Sequence, residues 1–415
     1  MKQAEGGREL TSKQLSVQEL EIGMYVHRLD RSWLGTPYPL QGFYIQSEED
    51  ILQLANFCKH VFIDQYRQRD SSSIKHQHKQ PELKRQVDTQ TKLATSEINF
   101  VQAKQIWRES RQLSYKIVDR IQHSYDIDRD QVEQAANSLS KAVIKRPNTM
   151  LWLARIKEHD NYTAEHCLSV GILAASFGHF LGVRPQDLDS LSLAGMLHDV
   201  GKIRIQPELL NKTTPLTDQE FSKLKAHAKI GYQLLLKDQS MPSLVLDAAL
   251  NHHERMDGKG YPNGLAGEQI SRIARIIAIV DAYDAMTSER PYADAKTHIA
   301  ALREIRLHAG AQFDTALAKA FIRMMGLYPP GSLVKLSDGS LAVVIQPKEK
   351  DPHRPIVARA READGLPCEI KLIDLSVETS LRIRLEVKEN ETTLDLRRFT
   401  DEHLGQLMNQ LNHNN

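Results

Sequence analysis

Leu188-Asp189-Ser190-Leu191-Ser192-Leu193-Ala194-Gly195-Met196-Leu197-His198-Asp199-Val200-Gly201 reads as a helix, Leu188–Val200, announced by Pro185 and closed by Gly201. Its apolar face (Leu188, Leu191, Gly195) also carries His198. The same anomaly recurs in both directions along the chain. His166 shares a face with Val170, Leu173 and Phe177, and His227 with Leu224, Gly231 and Leu234. Asp281 lies among Ile277, Ala278 and Ala285, and His252-His253 end an apolar helix containing Val245, Leu246, Ala249 and Leu250. One such histidine is ordinarily a satisfied core residue. Five of them, with Asp199 and Asp281, would make an interior too costly to bury unless something cationic satisfies it. A metal centre inside a helical bundle is the economical solution.

Working outward, nearly every segment from about Glu97 to Phe321 has helical period. Ile98, Val101, Ile106 and Trp107, then Leu113, Ile117, Val118 and Ile121, then Val132, Ala136, Leu139 and Val143 form apolar stripes. Thr217-Asp218-Gln219-Glu220 has the form of a capping box, with Leu216 and Phe221 placed as a hydrophobic staple. Before this region, Tyr25-Val26, Phe43-Tyr44-Ile45 and Val61-Phe62-Ile63 are β-type runs. Gly35-Thr36-Pro37 is a turn, and an Ile51/Leu52-Ala55-Cys58 helix pattern lies between two of the runs. A polar stretch follows in which His76 and His78 have no apolar or acidic framework, so it reads as a solvated linker. After Pro329-Pro330, Leu333–Leu336 and Leu341–Ile345 flank Ser337-Asp338-Gly339-Ser340 as a hairpin, and Pro355–Ala358, Ile370–Ile373 and Leu381–Val387 are further β-type runs. The tail after Asn409 is polar and expected to fray. The expected organisation is an α+β module over 1–65, a linker over 66–95, connecting helices over 96–150, a catalytic domain over 151–328 and a β-rich extension over 329–415.

Composition narrows the function. The 415 residues suit two or three domains. Lys+Arg 54 against Asp+Glu 53 gives a net charge of +1, so no overall field draws in a nucleic-acid polymer or an anionic membrane. Three scattered cysteines, Cys58, Cys167 and Cys368, exclude a disulfide scaffold or a Cys-based zinc site. Met1-Lys2-Gln3-Ala4-Glu5-Gly6 lacks the apolar stretch of a signal peptide, and the apolar windows Leu168–Ala175 and Ile273–Val280 are too short to span a bilayer. The expectation is a soluble cytoplasmic protein. Imidazoles and carboxylates without thiolates suit Fe, Mn, Zn, Ni or Co rather than Cu(I). Seven candidate ligands exceed the needs of one tetrahedral zinc, whereas two ions bridged by a carboxylate and a water or hydroxide use them well.

His198-Asp199-Val200-Gly201-Lys202 resembles the signature of the HD superfamily of phosphohydrolases. His252-His253-Glu254-Arg255-Met256-Asp257-Gly258-Lys259-Gly260-Tyr261-Pro262 resembles that of its HD-GYP subgroup. Asp281-Ala282-Tyr283-Asp284-Ala285-Met286 and Arg290-Pro291-Tyr292 match the downstream motifs, and the likeness extends over roughly 151–327. Gly23-Met24-Tyr25-Val26 through Asp30-Arg31-Ser32-Trp33 resembles a domain of unknown function that often precedes HD-GYP domains. The fold class expected is therefore mainly α, an HD-type helical bundle with a small N-terminal α+β module and a small C-terminal β-rich appendage.

The resemblance implies a bacterial phosphodiesterase that opens cyclic di-GMP to pGpG or onward to GMP, with two divalent ions, Fe or Mn, as cofactor. It implies His166, His198, Asp199, His227, His252, His253 and Asp281 as metal ligands, with Asp199 bridging. A hydroxide derived from a bridging water would attack phosphorus, and Lys202 would sit near it or near the scissile phosphate. Gly258, Gly260 and Gly264 allow a tight loop that could bring Tyr261 over the metals to touch a base or phosphate. Arg290 is either a clamp on substrate phosphate or a surface partner of Glu289 or Asp294. Tyr162 stands where a subset of the family has a Glu that holds a third metal, so a dinuclear centre is expected. Ala293 stands where some members have a substrate-gripping Lys. Two other readings stay open, an HD phosphohydrolase for another nucleotide and a cyclic di-GMP receptor with little turnover. The extra His227 and His252-His253 weigh against the first, and the complete ligand set against the second. A homodimer through the helices before Leu151, and a regulatory protein contact through the N-terminal module, are the further partners considered.

Overall fold

The computed structural model describes residues 12–30, 43–45, 47–68, 91–123, 128–157, 162–238, 241–289, 295–348 and 350–413. The Gly35-Thr36-Pro37 turn, His76, His78 and the Arg290-Pro291-Tyr292-Ala293 segment lie outside them. The chain divides into two compact units, one of Met1–Asp88 with Gly182–Arg184, the other of Thr89–Leu181 and Pro185–Asn415.

In the first unit, β1 (Ser12–Ser16), β2 (Met24–Leu29), β3 (Phe43–Tyr44) and β4 (His60–Gln68) form an antiparallel sheet in the order β1-β4-β2-β3. Helix α1 (Glu48–Phe57), capped by Ser47, adds Leu54 to a core of Leu15, Val17, Val26, Leu29, Ile45, Val61 and Ile63. β1 has no counterpart among the β-type runs of the sequence. Four of its five residues leave the core, and only Leu15 is buried.

The second unit is helical at its centre. It contains α2 (Thr91–His123), α3 (Arg129–Lys145), α4 (Pro147–Leu153), α5 (Tyr162–Phe180), α6 (Pro185–Leu197), α7 (Asp218–Leu236), α8 (Ser243–Asn251), α9 (Arg272–Thr287), α10 (His298–Leu307) and α11 (Thr315–Met325). α5 is buried on nearly every side from Ala164 to Gly178, the mark of a central helix. The stripe on α3 lies inward as expected, with Val132, Ala136, Leu139 and Val143 all buried. α2 is phased differently. Its inner face is Phe100, Ala103, Trp107, Ser110, Ser114, Ile117 and Ile121, while Val101 is 67% exposed. Two serines occupy core positions on that face, and an apolar count passes over them.

α6 ends at Leu197, earlier than the Leu188–Val200 helix expected from sequence, and His198-Asp199 form a turn before a 3-10 segment, Val200–Arg204. In a continuing helix, neighbouring residues point about 100° apart. The turn lets both side chains enter one site. Gly201 then lets α7 come close, because a Cβ there would lie 2.0 Å from the His227 carbonyl oxygen. The capping box on α7 forms as expected, with Thr217 and Glu220 exchanging hydrogen bonds.

β5 (Leu333–Leu336), β6 (Leu341–Gln346), β7 (Ile356–Arg361), β8 (Pro367–Asp374) and β9 (Ile383–Val387) form an antiparallel sheet ordered β8-β7-β6-β5-β9 around Val334, Leu336, Ala342, Val344, Val357 and Leu375. The expected frayed tail needs correction. α12 (Gly405–His413) runs through Asn409, with Leu404, Leu407 and Leu411 buried at helical spacing. Just before it, Thr400 Oγ1 accepts from the buried Trp152 indole at 2.8 Å, which ties this end of the chain to α4. Among the described residues no helix is long and apolar enough to cross a membrane.

Candidate metal centre

The seven residues singled out as ligands arrive from five places. His166 comes from the first turns of α5, and His198 and Asp199 from the turn after α6. His227 lies in mid-α7, His252 and His253 at the C-terminal end of α8, and Asp281 in α9. They form two clusters that share Asp199. One is His166, His198, Asp199 and Asp281, the other Asp199, His227, His252 and His253, and within each the donor atoms lie within 4.8 Å of one another. Asp199 Oδ2 faces His198 Nε2 at 3.3 Å and His166 Nε2 at 3.5 Å, while Oδ1 faces His227 Nε2 at 3.3 Å and His252 Nε2 at 3.6 Å. Asp281 Oδ1 lies 3.1 Å from His166 Nε2.

The imidazoles are oriented from behind. The Nδ1–H groups of His198, His227 and His252 donate to the carbonyls of Gly195 (2.7 Å), Leu224 (2.6 Å) and Ala248 (2.9 Å). That choice of tautomer leaves each Nε2 lone pair aimed into the site. His227 Nε2 and His252 Nε2 stand 3.5 Å apart, and His227 Nε2 and His253 Nε2 3.1 Å apart. Lone pairs facing at that range repel unless a cation lies among them. His166 Nε2, His198 Nε2 and Asp199 Oδ1 are buried without a hydrogen-bond partner, which is costly for polar atoms in the interior. The donor set therefore fits divalent metal.

The electrostatics agree. Burial opposes charge on His198, yet the Asp199 and Asp281 carboxylates outweigh it and raise its pKa to about 10. That rise measures the pull of the site on any cation. Burial likewise opposes ionisation of Asp199, but Lys202 and His198 hold it well below the usual carboxylate range. On the opposite side burial dominates, lowering His227 to about 4 and His253 in the same direction, so these imidazoles are neutral and able to ligate at neutral pH.

Lys202, from the 3-10 segment, makes an ion pair with Asp199 Oδ2. Tyr261 stacks on His253 (ring centroids 4.7 Å apart, 27° between planes) and lies 6.2 Å from His227, at the edge of the second cluster. Its loop is tight. Gly258 and Gly264 have φ of +72° and +67°, and a Cβ on Gly260 would lie 2.5 Å from Glu254 Cα. Tyr162 stacks on a ligand imidazole. Its ring lies parallel to His166, 5.6 Å away and 9° inclined. Arg290 lies outside the described residues.

Sequence reasoning gave no role to several buried polar groups. Asp284 accepts from His166 Nδ1 at 2.7 Å and pairs with Lys157 at 2.5 Å, so it orients His166 as the backbone carbonyls orient His198, His227 and His252. Its place three residues after Asp281, on the same helical face, was a usable signal. Glu254 accepts backbone N–H groups of Asn263 (2.7 Å) and Leu265 (2.9 Å) and so shapes the Tyr261 loop. Glu165, beside His166, is held by Arg111 and Tyr115 of α2, each at 2.7 Å, and burial together with the Glu165 carboxylate pushes the Tyr115 hydroxyl up to about 12. No local pattern marks such a long-range pair.

Comparison with known proteins agrees with the motif reading. The HD domain family matches residues 130–317, and a domain of unknown function, DUF3391, matches 12–132. The chain is 33% identical over 339 residues to a cyclic di-GMP phosphodiesterase of Pseudomonas aeruginosa, covering 80% of this chain and 81% of that protein. It is 36% identical to the cyclic di-GMP phosphodiesterase response regulator RpfG of Xanthomonas campestris pv. campestris, covering 47% of this chain and 54% of that one. It is also 33% identical to a 3'3'-cGAMP-specific phosphodiesterase of Vibrio cholerae, over 40% of this chain and 36% of the relative.

Proposed function

The chain belongs to the HD-GYP family of HD-domain proteins, and from that premise we propose that it is a metal-dependent phosphodiesterase that hydrolyses cyclic di-GMP to pGpG or onward to GMP. The observation that carries this reading is the pair of four-donor clusters sharing Asp199, with unpartnered buried atoms aimed between them. We assign His166, His198 and Asp281 to one ion, His227, His252 and His253 to the other, and Asp199 to both. The ions, Fe or Mn, would polarise the phosphodiester and acidify the water that serves as nucleophile.

The chain's own residues do the rest. The backbone carbonyls behind His198, His227 and His252 and the Asp284 carboxylate behind His166 fix each ring, so the donor set is organised before substrate arrives. Lys202 holds one Asp199 oxygen and presents an ammonium to the phosphate, where it offsets charge developing on the phosphoryl oxygens. Tyr261 closes the rim beside His253. We add Arg290 as the clamp on a substrate phosphate, the one of its two sequence readings that suits this chemistry.

A second reading, preference for 3'3'-cGAMP, is favoured by the Vibrio cholerae relative. Both are tested by incubating protein loaded with Mn(II) or, anaerobically, Fe(II) with each cyclic dinucleotide and separating the products. Faster loss of cyclic di-GMP to pGpG or GMP is the expected result. Faster loss of 3'3'-cGAMP supports the second reading, and two intact substrates refute both.

A further inference from the structure

Beyond the clusters, a pair of residues on α7 faces the same rim and has no part in the chemistry above. Phe221, in the first turns of α7, is 45% exposed. Its ring meets Tyr261 at nearly a right angle, with centroids 6.4 Å apart and 80° between planes. Tyr261 in turn stacks on His253, so Phe221 stands two ring contacts from the metal ligands. Lys225, one turn further along the same helical face, places Nζ 4.8 Å from the Phe221 centroid and 5.9 Å from that of Tyr261. Among the described residues no carboxylate pairs with Lys225, although paired lysines are common elsewhere on this molecule.

We propose that Phe221, Tyr261 and Lys225 form a corner that receives a guanine base of the substrate. The proposal rests on the cyclic-dinucleotide reading. Two rings at a right angle offer a flat base one face to stack on and one edge to abut. The ammonium between them selects among bases. Guanine presents two acceptors, O6 and N7, on one edge, whereas adenine presents N7 beside an N6 donor that a lysine repels. An exposed Phe221 against a half-buried Tyr261, with a lysine that no carboxylate pairs among the described residues, adjoins a centre suited to phosphodiester cleavage and has the composition of a nucleotide site rather than of a protein core.

The test uses the whole chain loaded with Mn(II), with cyclic di-GMP and bis(p-nitrophenyl) phosphate as substrates. Phe221→Ala is expected to raise KM for cyclic di-GMP about tenfold with kcat within about twofold, while Phe221→Trp restores it. Hydrolysis of bis(p-nitrophenyl) phosphate should be nearly unchanged in both. Lys225→Met should narrow the preference for cyclic di-GMP over cyclic di-AMP as inhibitors of that reaction. Unchanged KM in Phe221→Ala, or an equal loss on both substrates, overturns the corner and leaves the phosphodiesterase reading standing. Wild-type protein that cleaves bis(p-nitrophenyl) phosphate and not cyclic di-GMP overturns that reading instead, and inhibition by the two dinucleotides still decides the corner.

Discussion

The N-terminal unit and the helical unit solve the burial problem in opposite ways. The core of the first is apolar throughout, with Val26, Ile45, Leu54 and Val61 fully buried. The interior of the second holds His166, His198, Asp199, His227, His252, Asp284 and Glu165, all nearly inaccessible to water. A dry core is satisfied by packing alone. A core of imidazoles and carboxylates is satisfied only by partners, and His166 Nε2, His198 Nε2 and Asp199 Oδ1 have no hydrogen-bond partner among the described residues. The difference separates a core completed by its own packing from one whose donor atoms call for a cation.

The comparison breaks most visibly at Asp199. Asp199→Asn removes the charge shared by both clusters, and turnover of cyclic di-GMP should fall about a thousandfold or more, with metal content reduced in elemental analysis. Retained metal and rate would contradict the assignment. The dry core answers to a different measurement. Leu54→Ala should cost about 3 kcal/mol of stability in denaturant unfolding while metal content stays unchanged. Asp284→Asn acts behind a ligand rather than as one. Metal affinity should drop about 10- to 100-fold, with kcat largely recovered at saturating metal.

The smallest effect concerns a polar group outside the metal centre. His298 is buried against the Tyr283 hydroxyl and the Gly326 carbonyl, with Arg155 and Glu386 the charged groups nearby. Burial lowers its pKa to about 3 from the ordinary 6.5. The unfolded chain therefore binds a proton that the folded chain refuses, so this contribution is complete above about pH 6.5 and is lost as pH falls toward 3. Thermal midpoints measured from pH 7 to pH 4 should fall more steeply for wild type than for His298→Gln. Parallel curves would remove His298 from the account.

Much of the site was legible because its residues announce themselves locally. Imidazoles on apolar helical faces are visible one helix at a time, and the HD and GYP segments are contiguous. What escaped depends on remote partners. Asp284 and Lys157 meet across the fold, as do Glu165 and Arg111. The fold shows the same limit. The inner face of α2 includes Ser110 and Ser114, β1 buries only Leu15, and α12 with the residue before it hides the Leu404, Leu407 and Leu411 stripe among polar neighbours. In each case hydropathy is a weak record of a contact made far away in sequence.

The central claim is that two ions share Asp199 to cleave cyclic di-GMP. The direct measurement is the rate of product formation as metal-free protein is titrated with Mn(II) under anaerobic conditions. The account predicts a rate that climbs and saturates near two equivalents per chain. Saturation at one equivalent, or metal uptake with cyclic di-GMP left intact, would contradict it.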